Sequence, residues 1–188
     1  MDFSVIVLFL VCVANLLLGL FVLIRDPKSS VTRSFFSISV FISAWAVCNY
    51  LADNAGSLSL NTLFNRLAYP FGFLAITSTV VFSRNFTRKV DKRKLHPFSI
   101  LLVIVISLFS LTNYVAGYVA EENGKLVFTV GAFIGVYIAA IIFLVATIAR
   151  DFYFAIRSGT QIQKNQARII MSWVKRIAII RLRVSLWS

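Results

Sequence analysis

Five long apolar stretches constrain the fold of this chain more than any other feature of its sequence. A helix needs about 20 predominantly apolar residues to cross the roughly 30 Å of hydrocarbon in a bilayer. Hydrophobic residues make up 59% of the 188 residues, whereas soluble domains are typically about 45–50% apolar. The sequence therefore predicts an all-α fold, a polytopic membrane helix bundle with about five transmembrane helices. The predicted spans are Phe3 to Ile24, Phe35 to Ala52, Thr62 to Phe82, Phe98 to Tyr114 and Val130 to Phe152.

The basic residues are distributed unevenly between the two sides of these spans. Of the 19 Lys and Arg residues, 17 follow the first, third or fifth span, and the other two are Arg66 and Lys125. Membrane proteins concentrate Lys and Arg in cytoplasmic loops. We therefore expect a multi-pass protein of the cell membrane, with its N-terminus outside and its C-terminus in the cytoplasm. Topology also accounts for the net charge of +12, so no nucleic acid partner is expected.

The connection between the fourth and fifth spans, from Gly117 to Gly131, has the pattern of a β-hairpin. Asn123-Gly124 stands there between two short runs that contain apolar residues. Asn-Gly supplies the positive φ angles that a type I′ turn requires. The sequence therefore predicts a small extracellular β-hairpin.

The junction after the first span reads GLFVLIRDPKSSVTRSFFSISVFISAW, from Gly19 to Trp45. It combines a basic, Pro-containing turn with an Arg-x-Phe start to the second helix, at Arg33 and Phe35, and a deeper Trp. Two further stretches are NRLAYPFGFLAITSTVVFSRNF and RSGTQIQKNQARII. Together they resemble the amino-terminal seven-transmembrane region of bacterial sensor histidine kinases. The resemblance implies a membrane-embedded sensory input domain, since similar regions also precede diguanylate cyclases and other output domains.

The end of the chain departs from that family's pattern. The family would have two more spans followed by a cytoplasmic output domain, whereas here Lys175-Arg176 and two later arginines interrupt the apolar residues. Each Lys or Arg at the bilayer centre costs about 2.5–3.5 kcal/mol, against gains of only about 0.3–0.6 kcal/mol per Ile or Leu. A sixth spanning helix is therefore not expected. We divide the chain into an incomplete sensory input domain, residues 1–172, and a tail, residues 173–188.

Two interpretations of this tail stay open. In the first it is a basic amphipathic C-terminal helix on the membrane surface, with an apolar stripe that includes Trp173, Ile177 and Val184. In the second it is an aberrant ending, produced by a frameshift or an early stop near Met171. The resemblance to the kinase family ends where the charge pattern changes, which favours the second.

No residue pattern of an active site is recognisable in the sequence. The single histidine, His96, precedes Pro97 at the edge of the fourth span, and we interpret it as an interfacial residue. The sequence has no Gly-rich phosphate loop, and Cys12 and Cys48 lack metal-ligand spacing and are interpreted as packing residues. We therefore predict that this chain is not an enzyme and has no catalytic residues, no metal and no cofactor.

Four side chains within the spans are candidates for binding a ligand, because hydrocarbon does not solvate polar groups. Trp45 and Asn49 lie one turn apart in the second span, and Arg66 and Tyr69 share a face of the third. A kink at Pro70 would open space beside them. The hypothesis is a small ligand cavity towards the outer leaflet, lined by these four side chains. Under the alternative, Asn49 bonds to another helix, Trp45 packs, and Arg66 extends to the outer surface.

Small residues recur every four positions in the fifth span, at Gly131, Gly135 and Ala139. Such a face lets another helix approach closely. We interpret it as a helix-packing face, used either within the chain or in a homodimer.

The predicted function is a sensory input domain of a bacterial receptor in a two-component system, without the kinase catalytic region. Its expected partners are the lipid bilayer, a small-molecule ligand and a second copy of the chain. Two alternatives are a small membrane carrier subunit and a non-catalytic membrane adaptor that docks through its basic tail. The sequence shows no evident internal repeat and no deeply placed charge, which argues against the carrier.

Overall fold

A computed structural model describes residues 3–87, 97–115, 117, 119–122, 125–161, 164–165, 167–169 and 172. The predicted helical bundle is confirmed: five helices account for most of these residues, and a two-stranded hairpin joins the last two. In chain order the elements are α1 (Phe3–Arg25), α2 (Ser30–Asp53), α3 (Leu58–Thr87), α4 (Pro97–Phe109), β1 (Val119–Glu122), β2 (Lys125–Phe128) and α5 (Ile134–Ser158).

By length and composition, α1, α2, α3 and α5 are able to cross a membrane. In contrast, α4 has 13 residues, fewer than the about 20 that a span requires. The fourth span predicted from the sequence extends to Tyr114. In the structure the helix ends at Phe109, and the chain continues in turns to Val115. Within the described ranges, four helices therefore qualify as spans and the fourth apolar stretch gives a shorter helix.

The turn between α1 and α2 follows from its local sequence. Pro27 disfavours helical geometry at Asp26, so α1 ends at Arg25. The Ser29 hydroxyl then accepts a 3.2 Å hydrogen bond from the backbone N–H of Val31, which caps the start of α2. The two helices consequently reverse direction within four residues, 26–29.

The central helix of the bundle is α3, which packs against α2, α4, α5 and the first strand of the hairpin. One core cluster joins Phe73 of α3, Val115 after α4 and Tyr137 of α5. Outward-facing residues such as Phe9, Phe21 and Phe143 are exposed and apolar, as lipid-facing side chains are.

Helices α1 and α2 approach each other closely through small and polar residues. The Asn15 side-chain amide donates to the Ser39 carbonyl at 2.9 Å and to the Ser43 hydroxyl at 3.1 Å. Gly19 lies against Ser39, where an added Cβ would be 2.7 Å from the Ser39 Oγ. This combination of a small residue and hydrogen bonds between helices is typical of helix packing in membranes.

The predicted β-hairpin is confirmed, with β1 and β2 antiparallel and paired from Val119 with Phe128 to Glu122 with Lys125. The turn residues Asn123 and Gly124 lie outside the described residues, but this register leaves two residues for the turn, as predicted. Backbone bonds from Gly131 N to Val115 O (3.0 Å) and from Phe133 N to Tyr114 O (2.8 Å) close the base of the connection.

His96 and the tail, residues 173–188, also lie outside the described residues. Both interpretations of the tail, and the interfacial role of His96, therefore stay predictions.

Candidate functional site

Trp45 and Asn49, the two ligand candidates on α2, make local contacts. The Trp45 indole lies against Gly72 of α3, where an added Cβ would be 3.3 Å from the indole Nε1. The Asn49 side-chain amide donates to the Trp45 carbonyl at 2.7 Å, within the same helix. Trp45 is 46% exposed, so its indole both packs between helices and reaches the surface of the bundle.

Arg66 joins α3 to the entrance of the hairpin. Its Nε and Nη2 donate to the Gly117 carbonyl at 3.4 and 3.2 Å. Gly117 is confined there, because an added Cβ would be 2.0 Å from the Thr129 carbonyl oxygen. Arg66 also borders a shallow depression of about 490 Å³ formed by the first residues of α3, which include Leu58 and Thr62.

Tyr69 contacts α5 through its ring and its backbone. Its ring meets that of Tyr137 edge to face, at a centroid distance of 5.3 Å. The Tyr137 hydroxyl donates to the Tyr69 carbonyl at 2.7 Å. Helix α3 continues through the buried Pro70. The four candidates thus have different neighbours, and their joint ligand cavity stays a prediction.

The three small residues predicted to form a packing face are placed differently from one another. Gly131 precedes α5, and an added Cβ there would be 2.2 Å from the backbone of Tyr114. Gly135, in the first turn of α5, has nothing within 4 Å of such a Cβ. Ala139 borders the cavity described next. Gly131 therefore allows a close approach within the chain, while Gly135 leaves its face open.

A cavity of about 460 Å³ lies between α3, α4 and α5, and we call it the three-helix cavity. Five residues of α3, three of α4 and six of α5 line it. Nearly all are apolar, and the polar ones are Thr77, Thr147 and Arg84. The two threonine hydroxyls donate back to their own helices, to Phe73 and Phe143 carbonyls at 2.9 Å each. The walls are therefore apolar, and Arg84 supplies the charge.

Beside Arg84 lies a buried carboxylate with three partners, which we call the aspartate cluster. The Ser83 hydroxyl donates to Oδ2 of Asp151 at 3.0 Å. Arg84 Nε lies 3.8 Å from the same oxygen, and Arg150 Nη2 lies 3.6 Å from Oδ1. A buried carboxylate is costly unless it is paired. The cluster meets that requirement and joins α3 to α5 at the far end of the cavity from Tyr137.

Sequence reasoning missed this cluster. Asp151 falls inside the predicted fifth span, so the presence of an acid in an apolar stretch was the signal that could have identified it. Its partners Ser83 and Arg84 lie 68 and 67 positions earlier in the chain, and only the packing of α3 on α5 brings them together. Among the described residues, no three His, Cys, Asp or Glu side chains are grouped so that they could hold a metal ion.

The family model described as the N-terminal 7TM region of histidine kinase matches residues 7–180 of this chain. The match includes α2 to α5 and all but the first residues of α1. It also continues beyond residue 172, into the segment assigned above to the tail. A comparison with the curated proteins finds no match.

Proposed function

This chain belongs to the family of N-terminal seven-transmembrane regions of histidine kinases, and from that membership we propose that it is the sensory input of a receptor. In this proposal the helix bundle detects a chemical change in or beside the membrane and passes it to a cytoplasmic output, a histidine kinase catalytic region. The family match is the observation that carries the proposal. The chain's own residues would supply detection and transmission, and the phosphotransfer chemistry would belong to the output.

The contact between α3 and α5 supports a route for transmission. Two hydrogen bonds, which we call the ties, join these helices: one from Tyr137 to Tyr69 and one from Ser83 to Asp151. The three-helix cavity lies between the ties. A ligand that fits better when the helices are further apart would shift the population towards that arrangement. Since Asp151 lies in the last third of α5, the shift would reach the end of that helix.

The proposed orientation places the aspartate cluster on the cytoplasmic side. The hairpin and Arg66 then lie outside, while Arg84, Arg150 and Asp151 lie inside, where basic residues are enriched in membrane proteins. A change in the contact between α3 and α5 at the aspartate cluster would thus occur on the side where a kinase region receives it.

A fusion kinase tests the proposal. The full chain would be joined at its C-terminus to the cytoplasmic region of a histidine kinase that lacks its own membrane part, and autophosphorylation from ATP would be measured in membranes. We expect Tyr137→Phe and Ser83→Ala, which each break one tie, to change the phosphorylation level at least about twofold, the effect of about 0.4 kcal/mol on a two-state equilibrium. The matched control is Tyr153→Phe, because Tyr153 is exposed on α5. Phosphorylation that is equal in all variants, or absent from all of them, would contradict the sensory role.

A further inference from the structure

We propose that the three-helix cavity binds an anionic amphiphile with a single apolar chain, such as a long-chain carboxylic acid. Its chain would lie among the apolar walls, and its head group would lie at Arg84. The walls of this site and the position of Arg84 come from the structure. Its role as the input that the receptor detects rests on the proposed function above.

The walls of the cavity match an apolar chain. Phe73, Val103 and Leu144 line it from three different helices, and apart from Arg84 the side chains of its walls carry no charge. Thr77 and Thr147 donate their hydroxyl protons to their own helices. They therefore present no unsatisfied donor to the cavity. Burying an apolar chain there is favourable only in so far as it packs better than in lipid, because lipid is equally apolar.

The dimensions favour a single chain. The cavity borders α5 from Val136 to Thr147, which at about 1.5 Å per residue gives a length of about 16 Å. Its volume of about 460 Å³ lies in the lower part of the range of small-ligand sites, about 300–1,000 Å³. This space suits one chain, and a phospholipid would have to leave its second chain outside the cavity, so the occupant we propose has one chain.

The charge of Arg84 determines at which end of the cavity the head group of the ligand would lie. Arg84 is the charged residue among those that line the cavity, and its side chain is 31% exposed. It approaches Asp151 no closer than 3.8 Å, beyond hydrogen-bond distance. Arg150 shares the same carboxylate at 3.6 Å. Among the described residues, two guanidinium groups thus face one carboxylate, and a carboxylate head group would balance the remaining positive charge with a charge-assisted hydrogen bond.

The bilayer gives such a molecule access to the site. Ile104, Val136 and Phe143 all line the cavity and are all exposed on the outside of the bundle. The cavity consequently opens sideways towards lipid through its apolar wall. A molecule that partitions into the membrane would reach it without crossing water.

Photolabelling of the reconstituted chain tests the binding. The full chain would be placed in bilayers of neutral phosphatidylcholine with a long-chain fatty acid that carries a diazirine at mid-chain, and the labelled residues would be identified by mass spectrometry. We expect labels on the cavity-facing residues of α3 and α5. The fatty alcohol of the same length should label about fivefold less, which is the effect of about one basic contact near the membrane surface. Equal labelling by acid and alcohol would overturn the role of Arg84.

Two pairs of variants locate the ligand. Ala140→Phe fills the cavity and should abolish the labelling, whereas Ala146→Phe, at an exposed position on the same helix, should not. Arg84→Gln should reduce labelling by the acid to the level of the alcohol, and Arg157→Gln is its exposed control. If Ala140→Phe leaves the labels in place, or if the wild-type chain is not labelled on α3 and α5, the cavity is not the site. An unlabelled wild-type chain is also the result expected if another part of the chain already fills the cavity, and it overturns the proposal in that case too.

Competition separates the sources of an acyl chain. Unlabelled fatty acid should displace the label, and phosphatidylglycerol, an anionic lipid with two chains, should not. Displacement by phosphatidylglycerol alone would make a bilayer lipid the occupant and overturn the proposal. This assay needs no kinase, so binding without any response of the fusion kinase would reject only the sensory role. A responsive fusion kinase without labelling would reject only this ligand.

Discussion

The hydroxyl of Tyr137 on α5 donates a 2.7 Å hydrogen bond to the carbonyl of Tyr69 on α3, and the two rings meet edge to face at 5.3 Å. Tyr69 immediately precedes Pro70, which lacks an N–H and so interrupts the hydrogen-bond ladder of α3. The N–H missing at Pro70 would have bonded to the Arg66 carbonyl, one turn earlier. The bond from Tyr137 goes to the Tyr69 carbonyl, so it joins α5 to α3 next to Pro70 and does not replace the missing donor.

We expect Tyr137→Phe to destabilise the bundle by about 0.6–1.7 kcal/mol, from the average to the upper limit for a hydrogen bond between membrane helices. The ring contacts remain, so the loss reports the hydroxyl. Unfolding in mixed micelles with increasing SDS would measure the change. Tyr153→Phe, at an exposed position, is the control and should unfold like the wild type. A Tyr137→Phe chain as stable as the control would show that the bond contributes nothing.

Ser83 and Asp151 should be energetically coupled, since the serine hydroxyl donates to the carboxylate at 3.0 Å. We expect each single change, Ser83→Ala and Asp151→Ala, to destabilise the chain. In the double mutant the losses should fall short of additive by about 0.6 kcal/mol or more. Asp151→Asn should cost less than Asp151→Ala, because an amide oxygen still accepts the serine proton. Strict additivity in the same unfolding measurement would contradict a direct bond.

A methyl group at Gly19 should force α1 away from α2. An added Cβ would be 2.7 Å from the Ser39 Oγ and 2.8 Å from its Cβ, and overpacking of this kind typically costs about 1–3 kcal/mol. We therefore expect Gly19→Ala to destabilise the bundle and Ser39→Gly to restore part of the loss in the double variant. Gly135→Ala is the matched control, since nothing lies within 4 Å of its added Cβ. Equal stability of the two alanine variants would show that the close approach of α1 to α2 is not important.

Substitution of Arg66 tests whether this candidate ligand-binding residue has a structural role. Its two bonds to the Gly117 carbonyl join α3 to the hairpin. We expect Arg66→Gln to speed amide hydrogen exchange in Val119–Glu122 about fivefold, the equivalent of about 1 kcal/mol. Asn65→Ala is the neighbouring control, because the Asn65 amide bonds within α3. Unchanged exchange in the Arg66 variant would leave ligand binding as the better explanation of this residue.

Cysteine accessibility tests the proposed orientation. In a background with Cys12 and Cys48 replaced by alanine, Gly56→Cys places a thiol in the exposed connection between α2 and α3. Lys28→Cys places one in the exposed connection between α1 and α2. From the distribution of Lys and Arg, we expect a membrane-impermeant maleimide to label Gly56→Cys in intact cells and Lys28→Cys only after permeabilisation. The reverse pattern would invert the topology.

Within the part of the chain that the structure describes, the sequence by itself determined where five helices form and their approximate extent, because the length of an apolar run is sufficient to predict a helix in a membrane. It also determined the hairpin, since its turn chemistry is local, and it carried the family resemblance. It did not determine that the fourth helix ends at Phe109, because Ser110 to Tyr114 contain neither Gly nor Pro. The chain turns there because the connection after the hairpin bonds back to Val115.

Only the tertiary structure decided which polar side chains meet. Asn15 and Asn49 both lie within apolar helices, yet Asn15 bonds to α2 and Asn49 bonds to its own helix. Asp151 accepts a hydrogen bond from Ser83 and pairs with Arg84, and Arg66 donates to the Gly117 carbonyl at the entrance of the hairpin. Local sequence sets which residues are polar and which share a helix face. The rotation and crossing of each helix, which packing against its neighbours determines, set which of those residues come within hydrogen-bond distance.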